Sequence, residues 1–69
     1  MSDNDRRRRY HAALAARQRA LATQFRAELP ALREQLFAAE AAGLATEAQG
    51  LRNRIVYRER VIARQDGNA

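Results

Sequence analysis

With 69 residues, no cysteine and a single proline, the chain is one domain at most, too small to enclose a substrate and unable to staple itself with disulfides. Its net charge of +5 comes from 13 basic residues, every one an arginine, against 8 acidic ones. Guanidinium suits carboxylates, phosphates and aromatic faces, so acidic protein surfaces, nucleic acid or anionic lipid are the partners this balance favours.

Ala, Leu, Arg, Gln and Glu dominate, and no run of β-branched residues reads as a strand, so an all-α fold is expected. The first element opens at Ser2-Asp3-Asn4-Asp5, four good N-cap residues whose carboxylates favour the positive end of a helix dipole. Asp3 and Asp5 also precede Arg7 and Arg9 at the favoured i,i+4 spacing. Helix one is predicted over about 5–42. Arg6-Arg7-Arg8-Arg9 ahead of Tyr10-His11-Ala12-Ala13-Leu14 resembles the basic region of a leader. The apolar stretch ends at Arg17 with no cleavage site, too short for a leader or a membrane span. A cytoplasmic protein with no membrane partner is the expectation.

Pro30 falls inside this helix and removes the bond to the Arg26 carbonyl, but Glu28-Leu29-Pro30-Ala31-Leu32 keeps the apolar spacing, which predicts a kinked continuous helix rather than two. Leu14, Leu21, Phe25, Leu29, Leu32 and Leu36 form one stripe, with Gln18 filling the gap between the first two. Its period is close to the ordinary helical one and favours a straight bundle over a long left-handed coiled coil. Both phenylalanines read as core residues. Gly43 is placed to end the helix in a left-handed conformation, with Leu44 as the apolar residue that follows. Thr46-Glu47-Ala48-Gln49 fits a capping box, so the turn is expected over 43–46 and helix two over about 47–65. There Leu44, Ala48, Leu51, Ile55 and Ile62 make the matching stripe, and Gly50 is expected to let the backbones approach closely. Asp66-Gly67-Asn68 ends the element.

The two helices differ in length. At 1.5 Å per residue the second covers about 28 Å of the first, back to about Gln24. The uncovered residues 5–23 carry Tyr10, Leu14 and Leu21. Two copies about a twofold axis could bury each other's overhangs, so the full prediction is a two-helix antiparallel hairpin with a long first helix, assembling as a four-helix homodimer through Tyr10, Leu14, Leu21 and Phe25.

Outside the stripes, Arg54, Tyr57, Val61 and Arg64 share one side of helix two, and an aromatic and a valine framed by arginines match the make-up of protein-binding hot spots. Tyr57 and Val61 could equally pack within the dimer, and Val56 points elsewhere. Arg6, Arg7, Arg8 and Arg9 with Tyr10 could form a phosphate-contacting arm or a clamp on an acidic partner, or simply a solvated first turn. Arg54-Arg58 and Arg60-Arg64 are like-charged i,i+4 pairs, while Glu34, Glu40 and Glu47 lack basic i+4 partners; such charges either bridge between helices or await a partner.

Chemistry is excluded by what is missing. His11 is the lone histidine, with no acidic residue at ligand spacing, so no metal is expected. Ser2 is the lone serine and has no base beside it, and no Gly-rich phosphate loop is present. The chain is expected to have no cofactor and no enzymatic activity. Three classes remain: a helical adaptor or inhibitor of another protein, an Arg-rich nucleic-acid binder, and a subunit of a larger assembly.

A chain of this length, Arg-rich and Lys-free, with a hairpin turn from Gly43 to Thr46 after a long first helix, resembles the anti-quorum-sensing proteins encoded early by transposable Pseudomonas phages. The resemblance covers size and architecture and carries over no binding residue. It implies a dimeric, phage-encoded anti-activator that binds the DNA-binding domain of a LuxR-type regulator and also, as a second target, the assembly ATPase of type IV pili. Docking of so basic a chain would then rely on apolar contacts such as Tyr57 and Val61, or on acidic patches of the target.

Overall fold

The computed structural model describes residues 3–67 as two helices, α1 (Asp3–Ala41) and α2 (Ala45–Gly67), joined by a three-residue turn. They pair as an antiparallel hairpin, and no described residue is in a strand. α1 begins earlier than expected and ends one residue sooner, whereas α2 extends beyond its expected range at both ends. Ser2, the nearest candidate cap, and Asn68 lie outside the described residues. α1 passes through Pro30 without interruption, as the sustained apolar spacing requires, and Pro30 itself is exposed.

The turn is where sequence dictates backbone most directly. Gly43 has φ +72°, the left-handed region that costs any residue with a Cβ about 1–2 kcal/mol. The Gly43 N–H donates to the Glu40 carbonyl at 3.1 Å, and the Leu44 N–H reaches back to the Ala39 carbonyl at 2.9 Å. Those two bonds are the paired closures of a Schellman ending. Because the chain is reversed by Leu44, α2 starts sooner than the Thr46 capping box predicted. The Leu44 carbonyl accepts the first α2 bond, from Ala48 N–H at 2.9 Å, so Leu44 holds the cap position and Thr46 lies within the first turn. Gln49 correspondingly points forward and donates to Asn53 at 2.9 Å instead of capping Thr46.

Gly50 does not mark a close approach of backbones: it is exposed, and a Cβ built there meets nothing within 4 Å. The two glycines should therefore respond oppositely to alanine. Gly50→Ala should stabilise the fold by about 1 kcal/mol, the propensity gain in a helix, and Gly43→Ala should destabilise it by about 1 kcal/mol or more although space is open there as well. Urea titrations of the two variants check the sign.

The core is thin. Its buried members among the described residues are Ala22, Phe25, Leu29, Ala39, Ala48 and Ile55, half of them alanines, and no side chain larger than alanine is completely buried. Leu14, Leu32, Leu36, Leu51 and Ile62 are only half-buried. Phe37, expected inside, lies outside: it is 77% exposed, the most exposed large apolar side chain among the described residues. The molecule is a rod, 59 × 18 × 16 Å. Its 5599 Å² of accessible surface exceeds by about 1,200 Å² the roughly 4,400 Å² expected of a compact monomer of 7.8 kDa.

Three solvent-exposed ion pairs join the helices along one side. Arg26 pairs with Asp66, Arg33 with Glu59 at 3.9 Å, and Glu40 with Arg52 at 3.6 Å. Each rung is seven residues from the next on both helices, so the three form a ladder down one side of the hairpin. Glu40 is thus one of the unmatched acids that bridges between helices. Among the described residues no ion pair involves Glu34 or Glu47.

Candidate partner-binding surfaces

The ladder divides the hairpin into two long sides with different chemistry. On the side away from it, the space between the helices is a groove made of consecutive depressions. Near the open end it is lined by Gln18 and Leu21 of α1 and by Tyr57, Val61, Arg64 and Gln65 of α2. In the middle come Ala31, Leu32, Gln35, Glu28, Arg54 and Arg58. By the turn the walls are Ala38, Ala39, Leu44, Leu51 and Glu47. Helix periodicity explains the assembly: Leu14, Leu21 and Leu32 recur at spacings that keep them on one flank of α1.

Arg58 organises the centre of this groove. Its Nε donates to Glu28 Oε2 at 2.7 Å, one of its terminal nitrogens donates to the Arg54 carbonyl at 3.1 Å, and its guanidinium lies 5.0 Å from the centroid of the Phe25 ring. The like-charged Arg54-Arg58 pair noted in the sequence is offset by that acceptor set. Glu28 also accepts from Gln24 at 3.2 Å. The bond from Arg58, then the bond from Gln24, hold the Glu28 carboxyl below its ordinary value. A depressed folded-state value means that this contribution is present above the unfolded pKa and is lost as acid protonates Glu28. Melting temperature followed from pH 7 downward should fall through the carboxylate range in the wild type, and the fall should be shallower in Glu28→Gln.

Tyr57 lies at the rim of the groove. Its ring meets Phe25 edge-on, with centroids 5.8 Å apart and planes at 64°, and 57% of the residue remains exposed. Of the four residues grouped in the sequence, Tyr57, Val61 and Arg64 line one depression together with Leu21, whereas Arg54 lies further along, beside Arg58. Phe25, expected at an interface between copies, is buried inside the hairpin against Tyr57 and Arg58. Tyr10, 63% exposed, projects beyond the reach of α2, with its ring against His11 at 5.8 Å. Leu14 is half-buried; Gln18 and Leu21 line a depression with Val61, Arg64 and Gln65, so α2 covers more of α1 than its shorter expected range allowed. Arg6, Arg7, Arg8 and Arg9 are all exposed on the projecting segment.

The ladder side carries two exposed apolar side chains, one of which sequence reasoning had placed in the core. Phe37 follows Arg33 by four residues and precedes Glu40 by three; Val56 stands in the same relation to Arg52 and Glu59. Both therefore flank the ladder, one on each helix, and both are exposed. Leu36 and Phe37 are adjacent apolar residues pointing about 100° apart, and only one of them can face α2. The signal available was that Leu36 continues the stripe and Phe37 does not.

Among the described residues, no group of three or more His, Cys, Asp or Glu side chains could hold a metal ion, and no helix is long and apolar enough to cross a membrane. No family model, curated protein or solved structure matches the chain.

Proposed function

We propose that the chain is a dimeric helical-hairpin inhibitor that works by occupying the surface of another protein. The observation that carries this reading is the amount of apolar side chain left uncovered on two separate sides of so small a fold: Leu21, Tyr57 and Val61 along the groove, Phe37 and Val56 beside the ladder. The groove suits a second copy. Its apolar stripe continues onto the projecting part of α1, and the excess surface of about 1,200 Å² is comparable to the roughly 800 Å² each partner gives to a stable interface. The ladder side then remains outward in the dimer for a foreign protein, with Phe37 as the anchor. The resemblance to phage anti-activators makes the DNA-binding domain of a LuxR-type regulator the first target and the pilus assembly ATPase the second, in a host cytoplasm.

A pull-down from nuclease-treated bacterial lysate tests the reading, with retained proteins identified by mass spectrometry and the two candidate targets then assayed in purified form. Phe37→Ala should weaken target binding by about 2 kcal/mol, the scale of a hot-spot aromatic, while leaving the dimer intact. Tyr57→Ala should do the reverse and weaken the dimer. Target binding unchanged in both variants would refute the assignment of surfaces.

A second reading, nucleic-acid binding, is favoured by the four exposed arginines on the projecting end of α1. It requires duplex binding that weakens steeply with salt and capture that disappears after nuclease treatment.

A further inference from the structure

Resting on the homodimer reading, we infer that Arg6 and Arg7 are a register clamp within the dimer, seating on Glu47 at the turn end of the second copy. Three observations converge on this pairing.

The first is direction. Tyr10, Leu14 and Leu21 are separated by four and seven residues, so they share one flank of α1, and Leu21 fixes that flank as the groove side. Arg6 lies four residues before Tyr10, and Arg7 lies three before Tyr10 and seven before Leu14. The stripe that runs into the groove therefore ends outward in two guanidinium groups, both exposed.

The second is the acceptor. Glu47 lines the groove at its turn end with Ala38, Ala39, Leu44 and Leu51. No ion pair among the described residues involves it, in contrast to Glu28, Glu40, Glu59 and Asp66, which are all matched within the hairpin. Glu47 is exposed among Gln35, alanines and leucines, and a copy docking over it without a cation would cover a carboxylate that has no partner.

The third is length. The midpoint of α1 is Ala22. A twofold axis beside it sets two α1 helices antiparallel with full overlap, and each residue then faces the one equally far beyond the midpoint. Arg6 lies about 24 Å before Ala22 at 1.5 Å per residue, and Ala38 lies about 24 Å after it. Ala38 lines the same end of the groove as Glu47. Tyr10 and Leu14 fall on the way, opposite positions 34 and 30 of the partner, by the part of the groove where Ala31 and Leu32 lie among Glu28, Gln35, Arg54 and Arg58. Full overlap thus buries the overhang and delivers the cations to Glu47, which lines the groove and has no ion pair among the described residues, in one arrangement.

The test is the dissociation constant of the full-length dimer by sedimentation equilibrium in dilute and in concentrated sodium chloride. Variants are Arg6→Glu with Arg7→Glu, Glu47→Arg, and all three together. Each set alone should weaken the dimer about tenfold in dilute salt, since two symmetry-related contacts are lost, and much less in concentrated salt. The triple variant should recover most of the loss, because the pairing is restored with reversed sign. Additive losses in the triple variant, or no change in any variant of a stable wild-type dimer, would overturn the clamp while leaving the homodimer standing. A wild-type chain that stays monomeric at all accessible concentrations would instead remove the homodimer reading itself. Circular dichroism on each variant excludes unfolding as the cause. A fragment of duplex DNA that binds the wild type but not Arg6→Glu with Arg7→Glu, with dimerisation unaltered, would reassign the arginines to nucleic acid.

Discussion

Phe25→Ala should unfold the hairpin under conditions where the wild type is fully helical. Phe25 is the largest buried side chain, and it is a shared support: Tyr57 meets its edge and Arg58 lies over its face. Truncation removes buried apolar area, the aromatic pair and the cation contact together, a loss of about 3–5 kcal/mol. A single thin core in a chain of this size supplies roughly 3–5 kcal/mol in all, so nothing remains to hold the helices together. Far-UV circular dichroism at 25 °C should show loss of most of the helical signal, because helices in isolation are marginal in water. Phe25→Leu keeps most of the volume and should retain the fold at a cost of about 1–1.5 kcal/mol. Equal stability of Phe25→Ala and wild type in urea would mean that the hairpin is held by something other than this contact.

Ala22→Leu should be nearly as damaging for the opposite reason. Ala22 has no exposed surface at all, and no larger side chain can enter without forcing α2 away. Overpacking of this kind costs about 1–3 kcal/mol. The wedge sits one turn from Arg26 and should also open the outermost rung of the ladder, to Asp66. Ala22→Gly separates packing from helix propensity: it should cost only about 1 kcal/mol. Chemical denaturation of the two variants side by side gives the comparison, and an Ala22→Leu chain as stable as the Ala22→Gly chain would show that the helices are not in contact there.

The elements that were readable in the sequence are those in which one residue has a single physically reasonable role. Gly43 is such a residue, because a positive φ ends a helix and no glycine precedes it in the sequence. The continuity of α1 across Pro30 was readable from the unbroken spacing of Leu29 and Leu32. Thr46 misled because two signals competed for the same few residues. The Schellman closure at Leu44 turned the chain first, and the Thr-to-Gln pattern was left inside a helix already under way. Phe37 misled because composition says that phenylalanine is buried, whereas the angle to Leu36 decides which of the two is. The groove was half legible. The spacing of Tyr57, Val61 and Arg64 put them on one side of α2, but the residue completing their depression, Leu21, comes from α1 and depends on how far α2 reaches. The ladder could not be read, since its rungs join residues far apart in sequence whose alignment depends on where the turn begins.

That ladder has a consequence for how the hairpin avoids its own near-misses. The polarity of the rungs is not uniform: α1 supplies the cation at Arg26 and Arg33 but the anion at Glu40. Slide α2 by one heptad in one direction and Arg33 faces Asp66, which is harmless, but Glu40 faces Glu59. Slide it the other way and Arg26 faces Glu59 while Arg33 faces Arg52. Either one-heptad misalignment, the kind that an apolar stripe alone tolerates, brings two like charges together. The sequence of signs works as a parity check on the fold, rejecting wrong alignments rather than strengthening the right one. The alignment of the helices is thereby specified twice, once by the turn and once by the order of charges along them.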